Sequence, residues 1–266
     1  MRKFVPGEIL MPDSPKRDEV GVLLKSMNLL VCLAEAPLSV VELSDRTRIS
    51  KPTIYRILNT LESGGFVTRE TSKRKYILGP ALIGLGRATR NSAELIRHVR
   101  PALRGLHEKY NETINLGVLS HGKVIYLDTL ESGQRLRVTV PLSIEDNCHT
   151  TALGKAILSA MPEETALKTI VEVTLPKRTT NTLISQEQFL DAIRKSRALG
   201  YAIDNEEDEI GFRCVAAPIL NVTGYPIAAI SITAPTSRTS LQDFAKIGKD
   251  LISVCSTLKK SMPARL

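Results

Sequence analysis

Residues 40–61 read VVELSDRTRISKPTIYRILNTL, and this stretch decides the fold of the first part of the chain. It reads as two short helices joined by a tight turn. Val41, Leu43 and Ile49 fall where such a pair needs its inner contacts. Ile54, Ile57, Leu58 and Leu61 recur at spacings of three and four, which is one face of a helix. Ser50 stands at the N-cap position of the second helix. Pro52 lies in its first turn, where a missing N–H costs nothing. The outward residues are then Ser50, Lys51, Thr53, Tyr55, Arg56 and Asn59, donors and short polar groups suited to phosphates and base edges. Alone, the stretch is also compatible with two amphipathic helices of any helical domain.

The flanking residues narrow this. Glu62-Ser63-Gly64-Gly65 stops the second helix. Phe66–Arg69 and Lys75–Leu78 then read as two short strands around a basic tip containing Lys73, Arg74 and Lys75. A helix-turn-helix followed by such a hairpin is a winged helix. Three cations at that position favour phosphate contact over a merely solvated loop. Val20–Ala34 reads as a preceding apolar helix, closed before Pro37. Residues 1–19, with Pro6, Pro12 and Pro15 and no periodicity, read as a flexible tail.

The charge distribution agrees. Residues 1–104 hold 18 basic and 10 acidic side chains, whereas 105–266 hold 18 of each. The whole net charge of +8 therefore lies with the helix-turn-helix, as for a polyanion-binding module joined to a neutral one. The four cysteines are far apart and none has zinc-finger spacing, so no metal site or disulfide scaffold is expected. No apolar run approaches the roughly 20 residues of a membrane span, and the first residues lack a secretory core. A cytoplasmic location is expected.

After Leu78-Gly79-Pro80 a helix is expected over Ala81–Arg90, with Leu82, Ile83, Leu85 and Ala88 buried. Asn91-Ser92 should interrupt it. A second helix follows, carrying Leu95, Val99, Leu103 and Leu106, with a kink at Pro101. From Thr113 the pattern changes to strands at Thr113–Leu119, Lys123–Leu130 and Arg135–Val140. Helices are expected at Thr151–Met161, from Pro162, at Glu187–Leu199 and at Leu241–Leu258. Strands return at Tyr201–Ile203, Arg213–Leu220 and Tyr225–Ala234. A mostly antiparallel sheet with helices around it makes the class α+β. The boundaries read as 20–82 for the DNA-binding domain, 83–98 for a linker helix and 99–266 for the second domain.

Short polar residues stand in apolar surroundings of that second domain. His149-Thr150-Thr151 opens a helix whose free N–H groups suit an anion. Asp204 follows a strand, Cys214 begins one, and Ser231 and Thr233 share one face of another. Convergent polar groups in an apolar cleft are what a small-molecule site needs. The plainer readings are a helix cap, a turn residue, inert core and mutually satisfied hydroxyls. Glu206-Glu207-Asp208-Glu209 reads as a solvated acidic loop. Cys148 beside His149 does not make a catalytic pair, because adjacent residues point apart. The chain lacks GxSxG, HExxH and the full GxxxxGK[ST] pattern, so an enzyme is not expected.

With these segments in order, the chain resembles the IclR family of bacterial transcription regulators. The resemblance spans about 20–260 and rests on five segments. They are VELSDRTRISKPTIYRILNTLESGGFV, YILGPALIGLG, HTTALGKAIL, GYAIDNEEDEIGFRCVAAPIL, and AAISITAP followed by Arg238. It implies a winged helix-turn-helix, a helical linker and a GAF-like mixed sheet with flanking helices. It implies homodimers or dimers of dimers on a palindromic double-stranded DNA operator, and control of a catabolic operon by a small organic-acid or sugar-acid effector. Repression is the expected sign, with activation or a non-sensing architectural DNA-binding role as alternatives. No cofactor and no membrane are implied. Effector contacts, carried over from the family, fall on Ala152, Leu153, Asp204, Cys214, Ser231 and Thr233. Ala152-Leu153 is bulkier than the glycine-alanine of some members, and Thr233 stands where serine is frequent.

Overall fold

A computed structural model describes residues 20–70, 74–88, 90–139 and 145–263. The chain forms two compact units, dividing between Arg90 and Asn91.

The first unit opens with helix α1 (Gly21–Glu35), followed by α2 (Val40–Thr47) and α3 (Lys51–Ser63). The start of α2 is fixed by a capping box. The Ser39 hydroxyl accepts the Glu42 N–H, and the Glu42 carboxylate accepts the Ser39 N–H. Because α2 begins at Val40, residues 40 and 43 face inward. Val41, expected inside, is 51 % exposed, and Val40 takes its place at 6 %. Leu29, Leu33, Leu43, Ile49, Ile54, Ile57 and Leu58 complete the core, with Leu61 partly buried against it. Arg48 caps α2 with φ +60°, and its N–H reaches the Ser44 carbonyl.

The helix stop lies where expected, with Gly65 at φ +71°. The wing follows as β1 (Val67–Glu70) paired antiparallel with β2 (Lys75–Leu78). Tyr76 of β2 also exchanges backbone hydrogen bonds with Leu38. Helix α4 (Ala81–Ala88) comes next. Ile83 and Leu85, expected inside, are exposed. Apolar residues at 82, 83 and 85 spread around a short helix, so their spacing selects no single face.

The second unit starts with α5 (Arg90–Tyr110), which carries Asn91-Ser92 in its first turn and continues through Pro101. The interruption expected at Asn91-Ser92 does not fall there. A six-stranded sheet follows, in the order β5-β4-β3-β8-β7-β6. Its strands are β3 (Thr113–Ser120), β4 (Lys123–Leu130), β5 (Glu145–Asn147), β6 (Ala202–Asn205), β7 (Phe212–Leu220) and β8 (Pro226–Pro235). All described pairings are antiparallel, where the resemblance implied a mixed sheet; the α+β class stands. The strand expected over Arg135–Val140 is absent among residues 135–139, and β5 takes the edge beside β4.

Helices cover both faces. On one, α5 and α9 (Leu241–Ser261) pack Leu95, Val99, Leu103, Phe244 and Leu251 against Ile114, Leu116, Val215, Ile230 and Ile232. On the other lie α6 (Ala152–Ala160), α7 (Glu163–Glu172) and α8 (Gln186–Leu199). They pack Leu153, Ile157, Ile170, Phe189 and Ile193 against Ala202, Cys214, Ala216 and Ala229. The period of two along β7 and β8 thus gives a face under α9 that is apolar apart from Arg213 at its end, and a mixed face under α6.

Candidate functional site

In the first unit, α3 presents Ser50, Lys51, Tyr55, Arg56 and Asn59 exposed on one side, with Tyr55 at 49 %. Its opposite side, Ile54, Ile57 and Leu58, is buried. Thr53 is half-buried. Its hydroxyl lies 2.9 Å from that of Ser50, so the Ser50 side chain bonds Thr53 rather than capping the helix. A rigid helix with one buried face and one row of donors can enter a major groove.

In the wing, Arg74 is exposed at φ +52°. Lys75 is half-buried, and its ammonium lies 3.1 Å from the Glu42 carboxylate. This wing cation therefore braces the helix-turn-helix. Lys73 lies outside the described residues. Two exposed arginines escaped the sequence reading. Arg48 sits in the turn between α2 and α3, and Arg69 of β1 lies over the Tyr76 ring at 6.0 Å.

In the second unit, the register assembles the polar residues. Asp204 pairs with Cys214, Cys214 with Thr233, and Thr233 with Thr113. The next row on the same face runs Ala202, Ala216, Ser231, Asn115 and Thr129. Cys214 Sγ lies 3.0 Å from Thr233 Oγ1. Asn115 Nδ2 donates to Ser231 Oγ at 3.4 Å, and Asn115 Oδ1 accepts from Thr129 Oγ1 at 3.0 Å. The two hydroxyls of β8 thus bond to neighbouring strands rather than to each other. Burial pushes the Cys214 thiol up to about 12 and the Asp204 carboxyl up to about 8. Cys214 is therefore a thiol, a weak donor rather than a nucleophile.

Over this floor stands the start of α6, with Ala152 and Leu153 in its first turn and the Thr151 hydroxyl accepting the Gly154 N–H. A Cβ on Gly154 would sit 2.4 Å from the Cys148 backbone, so glycine is required for this close approach. Cys148 is buried, with its thiol pushed up to about 12. His149 is fully buried, its Nε2 lying 3.2 Å from the Pro176 carbonyl, and its Nδ1 has no hydrogen-bond partner. Cys148 and His149 form no nucleophile pair. The wall continues through Tyr126, whose hydroxyl donates to Asp146 at 2.9 Å.

The acidic turn differs from expectation. Glu206 accepts the Gly211 N–H and meets Arg213 at 3.4 Å. Glu207 forms a buried ion pair with Lys155 of α6. Asp208 accepts from Thr150 Oγ1 at 2.8 Å and meets Arg178 at 3.4 Å. Glu207 and Asp208 face inward because Lys155 of α6, Thr150 just before it and Arg178 supply their partners, while Glu209 is exposed. The sequence reading missed Lys155, Tyr126 and Asn115, and named Thr150 only as part of the helix start. For Lys155 a signal existed, a lysine inside the otherwise apolar helix ALGKAIL. No described helix is long and apolar enough to cross a membrane, and no described group of side chains could hold a metal ion.

Comparison with known proteins gives two family matches. "IclR helix-turn-helix domain" matches residues 22–71, and "Bacterial transcriptional regulator IclR C-terminal" matches residues 88–259. The chain is 36 % identical over 225 residues to the HTH-type transcriptional regulator KdgR of Escherichia coli, covering 84 % of this chain and 85 % of that protein. It is 31 % identical over 229 residues to the transcriptional repressor IclR of the same organism, covering 85 % and 84 %. The crystal structure of Thermotoga maritima IclR superposes with TM-score 0.72 at 26 % identity, over 92 % of this chain and 99 % of that one. An IclR homolog from Microbacterium hydrocarbonoxydans, complexed with 4-hydroxybenzoate, shares the fold at TM-score 0.72 and 19 % identity, over 90 % and 99 %. The helix-turn-helix, the wing and the polar-floored sheet are thus those of a known kind of regulator, and the chain belongs to the IclR family of bacterial transcriptional regulators.

Proposed function

We propose that the chain is a repressor of a catabolic operon, released or reset by a small carboxylate bound in the second unit. The observation that carries this reading is the row Asp204–Cys214–Thr233 beneath the N-terminus of α6. Donors and acceptors gather there on one face of a sheet whose other face is largely apolar. Ala152, Leu153, Asp204, Cys214, Ser231 and Thr233 contact the effector. Residues 20–82 bind DNA, 83–98 link, and 99–266 bind effector and mediate oligomerisation. Relatives named as repressors support the sign, and the relative that holds 4-hydroxybenzoate supports the ligand class.

On DNA, Ser50, Lys51, Thr53, Tyr55, Arg56 and Asn59 read the major groove of a palindromic operator. Lys73 and Arg74 contact the backbone from the wing, while Lys75 divides its charge between Glu42 and phosphate. A homodimer or dimer of dimers presents two such helices. Effector binding shifts DNA affinity by a coupling of about 1–3 kcal/mol.

The test is a thermal-shift screen with pyruvate, D-gluconate, D-glucuronate and 4-hydroxybenzoate. It is followed by a mobility-shift assay on DNA from upstream of the protein's own gene. A ligand that binds the folded state raises the melting temperature. A compound that raises the melting temperature and releases the DNA is the expected outcome. Ligand binding with no effect on DNA retention, or DNA binding without sequence preference, counts against the reading.

A further inference from the structure

Asp204 is 7 % exposed. The hydrogen bond its carboxyl accepts comes from the Glu207 N–H, at 2.7 Å on Oδ1. An ionised carboxylate offers about four acceptor sites, and leaving it buried with one neutral donor is costly. The one buried ammonium nearby, Lys155, is bonded to Glu207. The other groups around Asp204 do not favour a negative charge. Cys214 of β7 is a thiol bonded to Thr233. Asp208, on the same turn, is a further carboxylate, bonded by Thr150 and met by Arg178. Asp146 of β5 is bonded by Tyr126, and Arg213 is engaged by Asn205 and Glu206.

We propose that Asp204 is held by burial as a neutral acid that donates a hydrogen bond to an anionic effector, and that the Glu207 carboxylate is the positioning group that protects this state by engaging the Lys155 ammonium. The proposal rests on the effector-site reading above. The Glu207 backbone, fixed by Thr182 Oγ1 donating to its carbonyl at 2.7 Å, presents its N–H to Asp204 and orients the carboxyl, a bond that by itself favours the charged form. The Glu207 carboxylate cancels the ammonium that would otherwise draw the proton off Asp204. Burial is the largest cause raising the Asp204 carboxyl, to about 8; the Glu207 and Asp208 carboxylates raise it further, against the Lys155 charge and the Glu207 N–H, which lower it. A carboxyl neutral at pH 7 can face an effector carboxylate without repulsion. An ionised one cannot.

The proton is read without any ligand. Infrared difference spectra of the full chain, wild type against Asp204→Asn, are taken across the pH range. A protonated-carboxyl band assigned to Asp204 is expected at pH 7, disappearing with a midpoint near 8. Glu207→Gln frees the Lys155 charge and moves that midpoint down by about one unit or more. No such band at pH 7, or an unmoved midpoint in a folded Glu207→Gln protein, overturns the proposal. A second readout stands if Glu207→Gln does not fold. Asp204 has a raised folded pKa, so its stabilising contribution is full below about 4 and is lost as the pH rises through about 8. The melting temperature of Asp204→Asn relative to wild type must therefore rise between those values, and a constant difference overturns the proposal.

The effector half is tested with the four carboxylates named above. Wild-type affinity is expected to fall at least tenfold from pH 6.5 to 9.5, while Asp204→Asn, which keeps a donor, holds its affinity. Loss of binding in Asp204→Asn at pH 6.5 overturns the donor role. Failure of all four to bind at any pH fails the effector reading, whereas the infrared and melting results still decide the proton.

Discussion

Nζ of Lys75 lies 3.1 Å from Oε1 of Glu42, tying the wing strand to the first turn of α2. Glu42 also closes the capping box with Ser39. The Ser39 backbone N–H, then its side chain and then Lys75 hold the Glu42 carboxyl down at about 2. Its contribution is therefore complete above its ordinary 4.5 and is lost as the pH falls through about 2. Acid unfolding of the first unit, followed by helix circular dichroism, should show this dependence in wild type and lose it in Glu42→Gln. Ser39→Ala should destabilise the unit by about 1 kcal/mol at neutral pH.

Among the described residues Arg56 and Lys51 of α3 are exposed and have no ion-pair partner, in contrast to Lys75. Arg56→Ala should cost about 1–3 kcal/mol in operator binding and relax sequence preference. Lys51→Ala should weaken all sequences alike and reduce the salt slope of binding by about one. Lys75→Ala should show less effect on DNA than on melting temperature. Fluorescence anisotropy at several salt concentrations separates the three, and equal behaviour of all three would refute the division of roles.

All four cysteines are buried. Burial raises the thiols of Cys148, Cys214 and Cys255 to about 12 and also raises Cys32. The folded protein should therefore resist iodoacetamide at pH 7 and react at all four positions in denaturant. Mass spectrometry reads the difference. Rapid labelling of folded Cys214 would revive the nucleophile reading.

Arg238, just beyond β8, donates to both oxygens of Glu112, at 2.5 and 2.6 Å, and to the Leu136 carbonyl at 3.0 Å. Glu112 precedes β3 and is 8 % exposed. Arg238→Ala leaves that carboxylate without its fork and should destabilise the second unit by about 2 kcal/mol. Arg238→Lys should recover little of this, since one ammonium cannot reproduce two parallel bonds. Denaturant unfolding measures both.

The helix-turn-helix was legible because apolar spacing of three and four, Pro52 and the Gly64-Gly65 stop all agree over one short stretch. The hydroxyls of Ser231 and Thr233 were legible from a period of two. The inward carboxylates were not, because Lys155 and Thr150 lie 52 and 58 residues from Glu207 and Asp208. Charge runs look solvated until distant partners are known. The alternating RLRVTV misled for a different reason. Both edges of β3 are taken by β4 and β8, and the outer edge of β4 by β5. Residues 135–139 join no ladder, and Arg137 instead turns back to Glu131 and the Gln134 carbonyl.

The two faces of the six-stranded sheet divide labour in a way that bears on how such a regulator diversifies. Ile114, Val215, Ile230 and Ile232 hold register from beneath, against α5 and α9. Asp204, Cys214, Ser231 and Thr233 alternate with them on the opposite side. Exchanging a polar residue for another of similar size leaves the apolar layer untouched. Ligand preference can therefore drift through neutral steps while the scaffold keeps its shape. New regulatory inputs arise by retuning a few positions on one side of a partition, with foldability secured by the other.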